Sequence, residues 1–138
     1  MGRGVWRTYA LASLANGLMR LGKLDEALAA IGEGLQRMKT HGERLWGSEL
    51  HRVNGLVLLH QDNLEESQAA FQAALRVARR QDAKSYELRA ATSLARLWGE
   101  QGRRTEAREL LAPAYGWFIE GFDTADLKEA KTLLDELA

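Results

Sequence analysis

The sequence predicts an all-α protein: an α-solenoid of about three helix pairs with a 40-residue period, followed by a C-terminal capping helix. Three observations carry this prediction. Proline occurs once in 138 residues, and the abundant residues are the helix formers Ala, Leu, Arg and Glu. Apolar residues recur three and four positions apart, as in Leu11, Leu14, Leu18 and Leu21 and again in Leu24, Ala27, Leu28, Ile31 and Leu35. Three segments also superimpose without a gap at a spacing of 40: GKLDEALAAIGEGLQRM (22–38), DNLEESQAAFQAALRVA (62–78) and GRRTEARELLAPAYGWF (102–118).

The coincidences within that register are chemical. Glu26, Glu66 and Glu106 align, then small Ala27, Ser67 and Ala107, then bulky Ile31, Phe71 and Leu111. Small Gly34, Ala74 and Ala114 follow, each before a large residue, Leu35, Leu75 or Tyr115. Upstream, Ala15, Gly55 and Ala95 align, with Leu18, Leu58 and Trp98 three residues on, and Trp6, Trp46 and Tyr86 also fall 40 apart.

Each unit divides into two helices, with spans near 6–21, 24–40, 45–61, 64–81, 85–101 and 104–120. The units run over about 6–41, 45–82 and 85–121 of a single domain, 1–138. Gly22 and Gly102 suit the left-handed backbone that follows a helix C-terminus. Asp25, Glu26, Glu65 and Glu66 place negative charge in a first turn, where the helix dipole favours it. The capping helix spans about 124–137, with Asp123 or Thr124 at its start. Its apolar face is Leu127, Ala130, Leu134 and Leu137, and its polar face carries Asp126, Lys128, Glu129, Lys131 and Asp135, as covering an exposed array end requires.

Composition excludes several classes of function. Nineteen basic residues balance nineteen acidic ones, which argues against nucleic acid as a partner. With no cysteine there is neither a disulfide framework nor thiol chemistry, which fits a reducing, cytoplasmic setting. No apolar run approaches the ~20 residues that span a bilayer, so no membrane partner is expected. RTYALASLANGLM (7–19) imitates a signal sequence but belongs to the repeat.

The spacing resembles the tetratricopeptide repeat family. First helices carry large–small–large residues (Leu14, Ala15, Leu18; Leu94, Ala95, Trp98), and second helices carry small–large–small ones (Ala27, Ile31, Gly34; Ser67, Phe71, Ala74; Ala107, Leu111, Ala114). The resemblance implies a right-handed solenoid whose first helices line a concave groove, and a binding role without catalysis. The chain departs from the family in its period, 40 residues against the usual ~34. The extra residues lie near THGERL (40–45) and RQDAKS (80–85), implying longer helices or connections. Asn54 stands where a large apolar residue is expected, and the family's proline after the second helix is absent. Residues 78–138 also resemble the C-terminal repeat region of bacterial signalling proteins that join a nucleotide-cyclase or transcription-regulator domain to an ATPase. That implies a regulatory module.

No catalytic constellation emerges. His51 and His60, nine apart on one helix, point to opposite faces and cannot share a metal. No phosphate-cradling glycine loop or HExxH is present, so neither a cofactor nor a metal is expected. Ser48, Ser67, Ser85 and Ser93 have no histidine placed to activate them. Trp6, Trp46 and Tyr86 read as fillers between units rather than as a stacking ladder.

What remains is the polar stripe of the first helices. The candidate groove residues are Tyr9, Asn16 and Arg20 in the first unit, Glu49, Arg52 and His60 in the second, and Arg89, Thr92 and Arg96 in the third. Arg52, Arg89 and Arg96 suit a carboxylate or phosphate, because guanidinium groups bind such anions in bidentate fashion. The expected partner is therefore a protein or peptide with acidic groups. The alternatives are a regulatory segment of a cyclase or ATPase enzyme, and a homodimer formed through the repeat ends.

Overall fold

The computed structural model describes residues 2–41 and 47–138, with side chains from Ala10 to Thr40 and from Gly47 onward. Among these residues the three-and-four apolar spacing folds into α1 (Gly2–Arg20), α2 (Leu24–His41), α3 (Gly47–His60), α4 (Leu64–Arg80), α5 (Lys84–Glu100), α6 (Arg104–Gly116) and α7 (Ala125–Leu137). No strand occurs among the described residues. The chain is an all-α solenoid.

Its turns repeat as the sequence does. Gly22, Asp62 and Gly102, each 40 residues from the next, adopt φ of 80°, 58° and 81°. In each, the following N–H reaches back to a carbonyl of the preceding helix: Lys23 to Leu18 at 2.9 Å, Asn63 to Leu58 at 3.0 Å, Arg103 to Trp98 at 2.8 Å. These bonds satisfy carbonyls that a helix end leaves free. Asp82, at φ 53°, builds the same turn between α4 and α5, with Ala83 N–H on the Ala78 carbonyl at 2.9 Å. The RQDAKS segment is therefore a tight turn, and the long period resides in the helices, since α4 and α5 have 17 residues each. Most of THGERL lies outside the described residues.

One helix end differs from expectation. The second helix of the third unit stops at Gly116 rather than near 120. The helix runs past Pro113, whose missing N–H leaves one gap in its ladder, and ends at Gly116, a poor helix former. Thr124 holds the N-cap of α7 with extended backbone, but its side chain makes no capping bond.

Bulky and small residues nest as the register requires. Ile31, Phe71 and Leu111 are all buried, as are Ala27, Ser67 and Ala107. Gly55 lets α3 and α4 approach: a Cβ there would stand 2.5 Å from the Phe71 ring. Two buried serines fasten the same pair, Ser67 Oγ donating to the Gly55 carbonyl at 2.7 Å and Ser48 Oγ to the Ala74 carbonyl at 2.9 Å. Each such bond contributes about 0.5–1.5 kcal/mol net. Both hydroxyls are thus structural.

One expectation is corrected. Leu14 and Leu21, placed by periodicity on the apolar face of α1, are 52% and 73% exposed. Leu94, the equivalent of Leu14 in the third unit, is buried in a cluster that includes Phe71 and Leu75 of the helix before it. Leu14 has no such neighbouring helix among the described residues.

The arrangement of rows locates the groove. Helices α1, α3, α5 and α7 each touch the next in that series, whereas among the described residues α2, α4 and α6 do not touch one another. The array therefore curves with its odd-numbered helices on the inner side. Helix α7 rests on α5 and α6 and so takes the place of a first helix in the next unit.

Candidate functional site

The inner row carries residues at repeat-equivalent positions. Tyr9, Glu49 and Arg89 fall at one level, Ala12, Arg52 and Thr92 at the next, and Asn16, Leu56 and Arg96 at a third. Helical spacing puts successive levels three or four residues apart, hence on one face. Stacking then converts sequence period into spatial neighbourhood.

A cavity of about 310 Å³ opens on this face. Asn16 and Arg20 of α1, Glu49 and Arg52 of α3, and Arg89, Thr92 and Ser93 of α5 line it, with Ala125, Asp126 and Glu129 of α7 closing one side. Among the nine candidate residues, Asn16, Arg20, Glu49, Arg52, Arg89 and Thr92 thus meet at one place. Arg96 lies beside it through Glu129, while His60 is exposed at the end of α3 and does not line the cavity. The side chain of Tyr9 falls outside the described residues, as do Trp46 and the side chain of Trp6. Tyr86 is half-buried, and the Arg89 guanidinium lies 5.7 Å from its ring centroid.

The electrostatics form a chain. Arg52 grips Glu49 with two bonds, Nε to Oε2 at 3.0 Å and Nη2 to Oε1 at 2.7 Å. Arg89 donates from Nη1 to Glu49 Oε1 at 3.4 Å and from Nε to Asp126 Oδ2 at 2.8 Å. Arg96 Nη1 donates to Glu129 Oε1 at 2.7 Å. Burial works against the charge on Arg89, but its hydrogen bond to Asp126 and the fields of Glu49 and Asp126 outweigh it and raise its pKa. Each arginine of the proposed anion clamp thus already holds a carboxylate of this chain. Arg20 is exposed and makes no ion pair among the described residues.

Thr92 serves its own helix, its Oγ1 donating to the Leu88 carbonyl at 2.8 Å. His51 is half-buried, and its pKa is lowered by burial and by the nearby Arg76 charge. Among the described residues no three His, Cys, Asp or Glu side chains are grouped to hold a metal ion. No described helix is long and apolar enough to cross a membrane.

Asp126 and Glu129 were legible in sequence only as part of a polar face. Their opposite numbers, Arg89 and Arg96, lie two turns apart on α5, and that charge complementarity was the available signal.

Residues 88–115 match the model of the tetratricopeptide repeat family. The match covers α5 from Leu88, the turn at Gly102 and most of α6, a single helix pair. No curated protein and no solved structure matches the chain. Proteins built on this repeat generally bind other proteins.

Proposed function

We propose that the chain is a non-catalytic interaction module that takes a protein or peptide partner along the groove of α1, α3, α5 and α7. The observation that carries this reading is the convergence of Asn16, Arg20, Glu49, Arg52, Arg89 and Thr92 on one cavity. Those residues come from three units, and only stacking brings them together. A ligand carboxylate would meet Arg20 directly and exchange with Glu49, Asp126 or Glu129 at the other arginines. Charged hydrogen bonds of this kind favour an acidic segment.

The test is titration of the isotopically labelled protein with a Glu/Asp-rich peptide, followed by NMR. Shifts centred on Arg20 and Arg52 are expected. Arg20→Ala should weaken binding without altering helix content, because it breaks no ion pair of the fold. Shifts scattered over the outer helices would end this reading.

Two further readings each rest on a single observation. Exposed Leu14 and Leu21 on α1 favour self-association through that side of the repeats. The resemblance of residues 78–138 to bacterial cyclase–ATPase repeat regions favours a regulatory role within a signalling enzyme.

A further inference from the structure

Helix α7 is held as a ligand would be held. Arg89 binds the carboxylate of Asp126 in its first turn at 2.8 Å, and Arg96 binds that of Glu129 at 2.7 Å. At the other end, Arg104 Nη2 of α6 donates to the main-chain carbonyl of Glu136 at 2.9 Å. That carbonyl belongs to the last turn, where helix carbonyls lack intrahelical partners. Between these grips, Leu127, Ala130, Leu133 and Leu137 are buried against the same surface. Gly99 makes the socket for the last leucine: a Cβ there would lie 3.0 Å from Leu137 Cδ2.

The occupant is also the least enclosed member of its row. Helices α1, α3 and α5 are each backed by their own second helix, whereas α7 touches only α5 and α6. It is joined to α6 by residues 117–124, in which Trp117, Ile119 and Phe122 stay exposed, Ile119 by 90%. A helix packed on one side only and joined by a solvent-facing tether opens at lower free energy than the body of the fold.

Building on the groove reading, we propose that the α5–α6 face is a receptor for an acidic amphipathic helix of a partner protein, and that α7 fills it in cis. The partner helix carries two carboxylates three residues apart, as Asp126 and Glu129 are, beside an apolar stripe spaced like Leu127, Ala130, Leu133 and Leu137. Recognition is by helix in groove, with arginines fixing register and polarity. Affinity for the partner is reduced by the fraction of molecules in which α7 is docked.

The experiment uses the full chain and a fluorescent peptide with the sequence of residues 122–138. In the Asp126→Lys/Glu129→Lys variant the cis helix is repelled by Arg89 and Arg96, and peptide binding should tighten by about tenfold or more over wild type. A peptide bearing the same two reversals should lose that gain. Equal affinity for wild type and variant, or for the two peptides, would overturn the proposal. Should the variant fail to fold, hydrogen exchange on the wild-type chain decides. Amides of 125–137 exchanging about tenfold or more faster than those of α5 support it, and equal protection overturns it. If the variant gains nothing while an acidic peptide still shifts Arg20 and Arg52 in wild type, the groove reading survives alone. Binding by neither form removes both.

Discussion

Glu49 and Arg89 stand forty residues apart at equivalent positions of successive units, and the guanidinium reaches the carboxylate at 3.4 Å. The contact ties α3 to α5 within the row that lines the groove. Glu49 also holds Arg52, and its side chain is only 15% exposed. Glu49→Gln should therefore cost about 1–3 kcal/mol, because it removes the charge from two arginine contacts at a partly buried site. Urea denaturation measures this.

The Arg89–Asp126 pair is more open, with 39% and 33% of the side chains exposed. A double-mutant cycle on Arg89→Ala and Asp126→Ala should return a coupling of about 0.2–1 kcal/mol. Raising the salt concentration should shrink it. A coupling indifferent to salt would point to packing rather than charge.

Gly55 faces a rigid, fully buried ring, whereas Gly34 faces the flexible methyls of Leu50. Gly55→Ala should destabilise by about 1–3 kcal/mol through overpacking. Gly34→Ala should cost less, since the Leu50 methyls can yield. Equal effects would mean that helix propensity, not contact with Phe71, governs both sites.

The left-handed turns predict opposite signs. Gly102→Ala should cost about 1–2 kcal/mol, the penalty of αL for a residue with a Cβ. Asp62→Gly relieves that strain at the equivalent turn and should raise stability by a few tenths up to about 1 kcal/mol. Thermal unfolding of both variants tests the pair.

His51 supplies a pH dependence. Its folded-state pKa lies below the ordinary value because burial, then Arg76, disfavours the charged ring. The unfolded chain therefore binds the proton first as pH falls below about 6.5. Stability is complete above that pH and declines beneath it, and His51→Gln should flatten the decline. Urea midpoints at neutral and mildly acidic pH, wild type against variant, are the measurement.

Much of the fold was legible in the sequence because stacking is local in register. The spacing of Ile31, Phe71 and Leu111 marks a core that recurs with each unit. Periodicity misplaced Leu14, since helical spacing states which face a residue occupies but not whether a neighbour covers it. The end of α6 falls at Gly116, a single residue that a repeat-averaged pattern smooths away. The cavity lining was readable as a polar stripe on first helices. Its neutralisation by Asp126 and Glu129 was not, because α7 stands outside the three aligned segments and its docking depends on tertiary contact alone.

The central claim is that large residues nest against small ones at equal intervals, and that this nesting sets the groove in register. A nuclear Overhauser spectrum measures it directly. Strong cross-peaks from the Phe71 ring to the Gly55 Hα protons, with matching ones from the Leu50 methyls to Gly34, are the predicted result. A Phe71 ring with no contact to Gly55 would contradict the account.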